Sequence, residues 1–271
     1  MIPQLLAFDL DGTLLNSKKE LSAATIAMMQ KCTAHGMKII FASGRIKSSI
    51  ERYSKMCPFP VSILSLNGAA VYTDASSGSQ KIYSASLPAE YADYLIDHAS
   101  KNNLLLNYYY ENSLYAVKND ITQPWISLYI QQTHSEYSFL TSFRTMSGKT
   151  PSKIIFVGEP AILDRQQRYF SEKWGDAVYV CRTWDYYLEF LNPLANKGSG
   201  LAALADFYIV PAQNVVAFGD AMNDIPMLEY AGMSIAVNNA GEDVRKAAKK
   251  VSEWSNDEEV IAKELELLLT K

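Results

Sequence analysis

The run "LLAFDLDGTLL" near the N-terminus constrains this chain more than any other stretch. Leu5 to Phe8 and Leu10 show almost no polar alternation, the pattern of a strand covered on both faces, and such strands belong to parallel sheets clothed by helices. The apolar run breaks at Asp9 and Asp11, with Gly12 and Thr13 directly after. Two carboxylates are therefore expected at the carboxyl end of a buried strand, the edge where open parallel sheets bind their ligands.

The pattern that follows extends this reading. Ser22 is placed to cap a helix whose apolar positions Ile26, Met29 and Cys32 or Thr33 recur at helical spacing, and Gly36 closes it before the strand "KIIFA". A strand, a helix and a strand in succession call for a parallel pair with a right-handed crossover. A second helix, roughly 47–55, leads to "VSILSLNGAAVY", with a turn at Asn67-Gly68. From Ser76 to Ser79 the texture changes to a Ser/Gly turn, and strands and helices then mix without regular crossovers, as in α+β units. Strand–helix alternation resumes with a helix over Lys197 to Phe207, then "NVVAFGD", "DIPMLEYA", "MSIAVN" and closing helices. The fold expected is α/β, a doubly wound parallel-sheet core with an inserted α+β cap domain. Its boundaries read as 1–83 for the first part of the core, 84–188 for the insert and 189–271 for the rest, an arrangement tolerated where an insert enters at an exposed loop.

Charge narrows the partners. With 25 basic and 29 acidic residues the net charge is -4, which offers no positive field for nucleic acid. An apolar share of 48 % supplies a core. Cys32, Cys57 and Cys181 are odd in number and lack metal spacing, so they read as small core residues in a reducing compartment. No leader pattern opens the chain and no run approaches the ~18 apolar residues of a membrane span, so the expectation is a cytoplasmic protein.

Four polar stations fall at predicted strand or helix ends: Asp9 with Asp11, Ser43 with Gly44, Lys197, and Asp220 with Asn223 and Asp224. Clustered carboxylates about 4 Å apart repel strongly unless a cation lies among them. Magnesium suits such oxygen donors. Lys197, the Ser43 hydroxyl and the amides around Leu10, Asp11 and Gly44 add donors for a phosphoryl group. Asp9 is placed to act as nucleophile, and Asp11 to carry the proton for the leaving oxygen and then for the attacking water.

These same residues carry a resemblance. "DLDGT" at Asp9 to Thr13, "ASGR" at Ala42 to Arg45, "NKGSG" around Lys197 and "GDAMND" at Gly219 to Asp224 resemble, in order, the four motifs of haloacid-dehalogenase-like phosphatases. "NGA" at Asn67 to Ala69, the long insert and "SIAVNNAGEDVRKAA" are similar to the Cof-type subfamily with a large α/β (type IIB) cap. The resemblance implies a Rossmann-like core with a mobile cap and magnesium-dependent hydrolysis of small phosphate monoesters, often sugar phosphates. It implies Asp9 as nucleophile and metal ligand, and Asp11 as general acid/base bound to the metal through its backbone carbonyl. Asp220 would complete the protein ligands, with Asp224 supporting through water. Leu10 through its amide, Ser43, Gly44, Lys197 and Asn223 would hold the phosphate. Two stretches depart from the pattern: "NPLANK" before the lysine, and "SNDEEV", which lacks a glycine often found there.

Other prominent residues read as ordinary. Arg45 could contact substrate, but an arginine at a helix start reads equally as a solvated or ion-paired surface group and stays outside the catalytic set; His35, His98 and His134 read as surface residues. The tryptophans and most tyrosines read as packing, while Tyr108, Tyr110, Trp184 or Tyr187 could line a sugar site. Two further functions use the same features: a phosphomutase returning the phosphoryl group to its substrate, and a metabolite-binding protein without turnover.

Overall fold

The computed structural model describes residues 3–133 and 135–270. These divide into two compact units, one taking the chain up to Ser84 and again from Ala195, the other Ala85–Leu194.

The first unit opens with β1 (Leu5–Asp9), α1 (Ala23–Ala34), β2 (Lys38–Ala42), α2 (Lys47–Ser54), β3 (Val61–Ser65), β4 (Ala70–Tyr72) and β5 (Lys81–Ser84). The inserted unit holds α3 (Ala89–Lys101), β6 (Leu105–Tyr110), β7 (Ser113–Val117), α4 (Gln123–Thr133), β8 (Tyr137–Leu140), β9 (Lys153–Val157), α5 (Pro160–Trp174), β10 (Tyr179–Trp184) and β11 (Tyr187–Leu191). The first unit resumes with α6 (Lys197–Phe207), β12 (Val215–Gly219), α7 (Ile225–Tyr230), β13 (Met233–Ala236), α8 (Glu242–Ala247), β14 (Lys250–Val251) and α9 (Val260–Leu269).

Its sheet runs β14-β13-β12-β1-β2-β3-β4-β5, parallel from β14 to β3 and antiparallel at the β3–β4 and β4–β5 pairs of one edge. Strand order reverses at β1: the chain first builds outward through β2 and β3, then returns to the other side at β12. Alternate side chains of β1 enter different layers. Leu6 and Phe8 pack with Met29, Ile50 and Ile261, whereas Leu5 and Ala7 pack with Leu201, Leu204 and Met227. By the two-residue period of a strand, Asp9 continues the Leu5/Ala7 face, the face covered by α6.

In the inserted unit the sheet runs β10-β11-β9-β6-β7-β8, antiparallel except for β7 with β8. One face, with Leu106, Tyr108, Phe156 and Phe190, shares a core with residues of α3 and α5. On the other, Tyr109, Lys153, Tyr187 and Glu189 are buried and Tyr129 of α4 packs among the tyrosines. This unit ends at Leu194, not near 188, because β11 pairs with β9 and β10 and carries the sheet through Leu191.

Several expectations for single residues need correction. His98 is half-buried, its ring against Phe156 and Phe170 and its Nε2 2.6 Å from Gln166 Oε1, so it packs instead of lying on the surface. Tyr108 is fully buried beside Phe143 and donates to the Lys149 carbonyl, which removes it from any open sugar site. Tyr187 is likewise buried, hydrogen-bonded to Gln132. Trp184 is exposed. The expectation for His134 lies outside the described residues.

Candidate active site

Strand register brings the first residues together. Asp9 on β1 pairs with Ala42 on β2, and Phe8 with Phe218 on β12, so three adjacent parallel strands end level and Ser43 and Asp220 follow one residue beyond Asp9 at their carboxyl edge. The rings of Phe8 and Phe218 stack 5.1 Å apart just beneath. From the covering layer, α6 begins at Lys197, capped by Asn196, whose Oδ1 accepts from the Ser199 N–H at 2.9 Å. The Lys197 side chain is wholly buried, and its Nζ donates to both Asp9 and Asp224.

Asp224 is held from its other oxygen. The N–H groups of Asp220 and Ala221 each donate to its Oδ2 at 3.0 Å, which folds the turn after β12 around the carboxylate. Asp220 accepts from Thr13 Oγ1 at 2.7 Å. Gly12 sits at φ +88°, and a Cβ there would lie 2.5 Å from Asp220 Oδ2, so only glycine allows this approach. Behind the turn, Asn239 donates to the Gly12 carbonyl, Asn256 to that of Leu15, and Asp257 accepts from the N–H and hydroxyl of Ser17.

Carboxylate oxygens of Asp9, Asp220 and Asp224 lie within 4.8 Å of one another. One ammonium faces three acids. Burial, then the neighbouring Asp224 and Asp220, push the Asp9 carboxyl well above the usual carboxylate range even with Lys197 in contact. Burial also raises Asp220, with Asp224 adding to it. Burial opposes the charge on Lys197, but Asp224 and Asp9 outweigh it and raise its affinity for a proton. An all-oxygen donor set with excess negative charge fits a hard divalent cation such as magnesium.

Asp11 takes a different place. Its carboxylate accepts from Arg45 Nε at 2.7 Å and Nη2 at 2.6 Å, with Lys19 Nζ 2.9 Å away. Burial would raise its pKa, but these cations outweigh burial and lower it. The Asp11 side chain thus stands outside the three-carboxylate group, and Arg45 is ion-paired, one of the alternatives its sequence left open, with Asp11 as its partner. Ser43 is buried, its Oγ accepting from the Arg45 N–H at 3.2 Å. Leu10 buries its side chain and accepts from the Leu15 N–H through its carbonyl. Gly44 lies beside Asn67, and exposed Asn223 donates to Asn67 Oδ1 at 2.9 Å.

Pattern reading left Arg45 outside the site, and it passed over Lys19 and the bonds by which Asn67, Asn239, Asn256 and Asp257 hold the site's loops. Thr13 was visible only as the last residue of "DLDGT". For Asn67 a signal existed, since Asn-Gly directly after an apolar strand marks a left-handed turn.

A family model described as haloacid dehalogenase-like hydrolase matches residues 6–265. The chain belongs to this family. It is 29 % identical over 92 % of either chain to a putative phosphatase of Haemophilus influenzae. To the 5-amino-6-(5-phospho-D-ribitylamino)uracil phosphatase of Bacillus subtilis it is 26 % identical over 96 % of each. A crystal structure from Thermotoga maritima superposes with a TM-score of 0.88 at 28 % identity, covering 98 % of this chain and 97 % of that one. The sequence-based expectation of a haloacid-dehalogenase-like hydrolase with an α/β core and an inserted unit agrees with these findings. No helix among the described residues is long and apolar enough to cross a membrane.

Proposed function

We propose that this enzyme hydrolyses small phosphate monoesters with magnesium, through a phosphoryl group carried on Asp9. The observation that carries the reading is the meeting of Asp9 with Lys197, Asp220 and Asp224 at level strand ends beside Ser43. Asp9, Asp220 and Asp224 would hold the cation, with the Asp11 carbonyl a further oxygen donor. Bound there, it would neutralise charge on the transferring group and the carboxylates.

The protein's own groups divide the rest of the work. An Asp9 oxygen attacks phosphorus as the ester P–O bond breaks, and the leaving oxygen takes a proton from Asp11. Water then attacks the phosphorus held on Asp9, giving a proton to Asp11, as the P–O bond to Asp9 breaks; inorganic phosphate leaves and the Asp9 carboxylate is restored with both its oxygens. To take part, Asp11 must exchange its Arg45 partner for the substrate. Lys197, the Ser43 hydroxyl, the Asn223 amide and the N–H groups of Leu10 and Gly44 would bind the phosphoryl oxygens.

Choice among leaving groups falls, in this reading, to the inserted unit, Ala85–Leu194, because the strand ends offer only a phosphate site. The ribitylaminouracil phosphatase of Bacillus subtilis supports a small polyhydroxylated phosphate as the substrate class. The test is phosphate release from a panel of sugar phosphates and a small aryl phosphate, with magnesium or with a chelator. Release that needs magnesium and is lost in Asp9→Asn is expected; release undiminished in that variant removes Asp9 from the mechanism.

A further inference from the structure

Three consecutive residues between β3 and β4 have left-handed backbones: Leu66 at φ 51°, Asn67 at φ 56° and Gly68 at φ 92°. Left-handed geometry is costly for an ordinary L-residue, less so for asparagine, and such outliers gather where function requires them. This turn is pinned on both sides. The Leu66 and Asn67 N–H groups donate at 3.0 Å to the carbonyls of Arg45 and Ser43. Beyond it, a Cβ on Gly68 would lie 2.1 Å from the carbonyl oxygen of Asn196, the residue that caps the Lys197 helix.

Asn67 is therefore built into the segment that ends β2 and presses on the start of α6. Its Oδ1 accepts from Asn223 Nδ2 at 2.9 Å and stands 3.1 Å from where a Gly44 Cβ would be. Asn223 is otherwise an exposed side chain on a short turn, and a lone exposed amide samples several rotamers. Its bond to Asn67 selects one.

We infer that Asn67 is a positioning residue of the phosphate site: the strained turn fixes its amide oxygen so that Asn223 is held in one orientation beside Ser43 and Gly44. The inference rests on the proposed phosphatase reading. It also explains why the turn keeps asparagine where glycine would be easier on the backbone.

Asn67→Gly separates the two roles, since glycine accepts the left-handed backbone and removes only the amide. In the full chain with magnesium, the thermal midpoint should stay level or rise, while KM for an aryl phosphate and Ki for inorganic phosphate rise about tenfold, the equivalent of ~1.4 kcal/mol. If Asn67 acts through Asn223, the Asn67→Gly/Asn223→Ala double variant should bind phosphate no more weakly than Asn223→Ala alone. An unchanged Ki in Asn67→Gly, whatever its midpoint, overturns the inference, and so do losses that multiply in the double variant. Calorimetric titration with inorganic phosphate keeps the two ideas apart. A wild type that turns over no ester defeats the phosphatase reading, whereas unchanged phosphate binding in Asn67→Gly defeats only the role of Asn67.

Discussion

Each unit of this protein buries a lysine, and the company each lysine keeps is different. In the inserted unit Lys153 meets Glu189 alone, at 3.0 and 3.1 Å, with the Tyr109 ring 5.0 Å from the ammonium. In the other, Lys197 meets Asp9 and Asp224, with Asp220 close by. The first arrangement is balanced in charge and lies on the face of an antiparallel sheet. The second carries an acidic excess and lies where parallel strands end. A matched pair needs nothing more, whereas an unmatched cluster is comfortable only when something positive arrives. Buried charge by itself thus says little about function; the residual sign says more.

The largest effect that could break this contrast is expected at Asp9. Asp9→Asn should lower turnover by about three orders of magnitude or more, as for removal of a nucleophile, and yet raise the thermal midpoint of metal-free protein, because one of three crowded acids is gone. Thermal melts with and without magnesium check this, and a lower midpoint without metal would place Asp9 among structural groups. The inserted unit should answer with the opposite sign. Lys153→Met strands a buried carboxylate and should cost about 3–5 kcal/mol in denaturant unfolding, whereas Lys153→Met with Glu189→Leu should return near wild type. Turnover of a small aryl phosphate should persist in the double variant.

Smaller changes sharpen the comparison. Thr13→Val preserves shape but removes the hydroxyl held by Asp220, and should raise the magnesium concentration needed for half-maximal turnover about tenfold. A metal titration reads it directly. Least of all, Asp74 offers a balanced carboxylate inside the core unit, accepting from Tyr208, Ser76 and the Ser77 N–H. Burial would raise its pKa, but these hydrogen bonds, with Lys38, hold it below the usual carboxylate range. A depressed folded-state value stabilises the protein at pH above the unfolded value and loses that contribution as pH falls through the folded one. Asp74→Asn should therefore flatten the acid limb of a stability profile below about pH 4 by about 1 kcal/mol.

Much of the core site was legible because parallel strands place their ends by local rules. An apolar run that stops at an acid, repeated at Asp9 and Asp220, locates the edge once the strands are known to be neighbours. What stayed hidden depends on side chains reaching across the fold. The grip of Arg45 on Asp11 spans 34 residues and follows from where α2 begins. The Asn239 and Asn256 bonds to the turn after Asp11 join segments more than 220 residues apart. In the inserted unit, alternation along β6 shows that Tyr108 and Tyr109 face opposite ways but not which side is covered, so Tyr108 looked available when it is core. The seam near 188 failed for a related reason: Tyr187–Leu191 is apolar enough to belong to either sheet, and only its pairing with β9 assigns it.

The level ends of β1, β2 and β12 have a consequence for anyone refolding this protein. A slip of one residue in β1 would move Asp9 about 3.3 Å along the strand and turn it to the opposite side of the sheet. A renatured batch would then hold molecules with a whole catalytic centre and molecules with none, and few in between. Specific activity would serve as a census of correctly threaded chains.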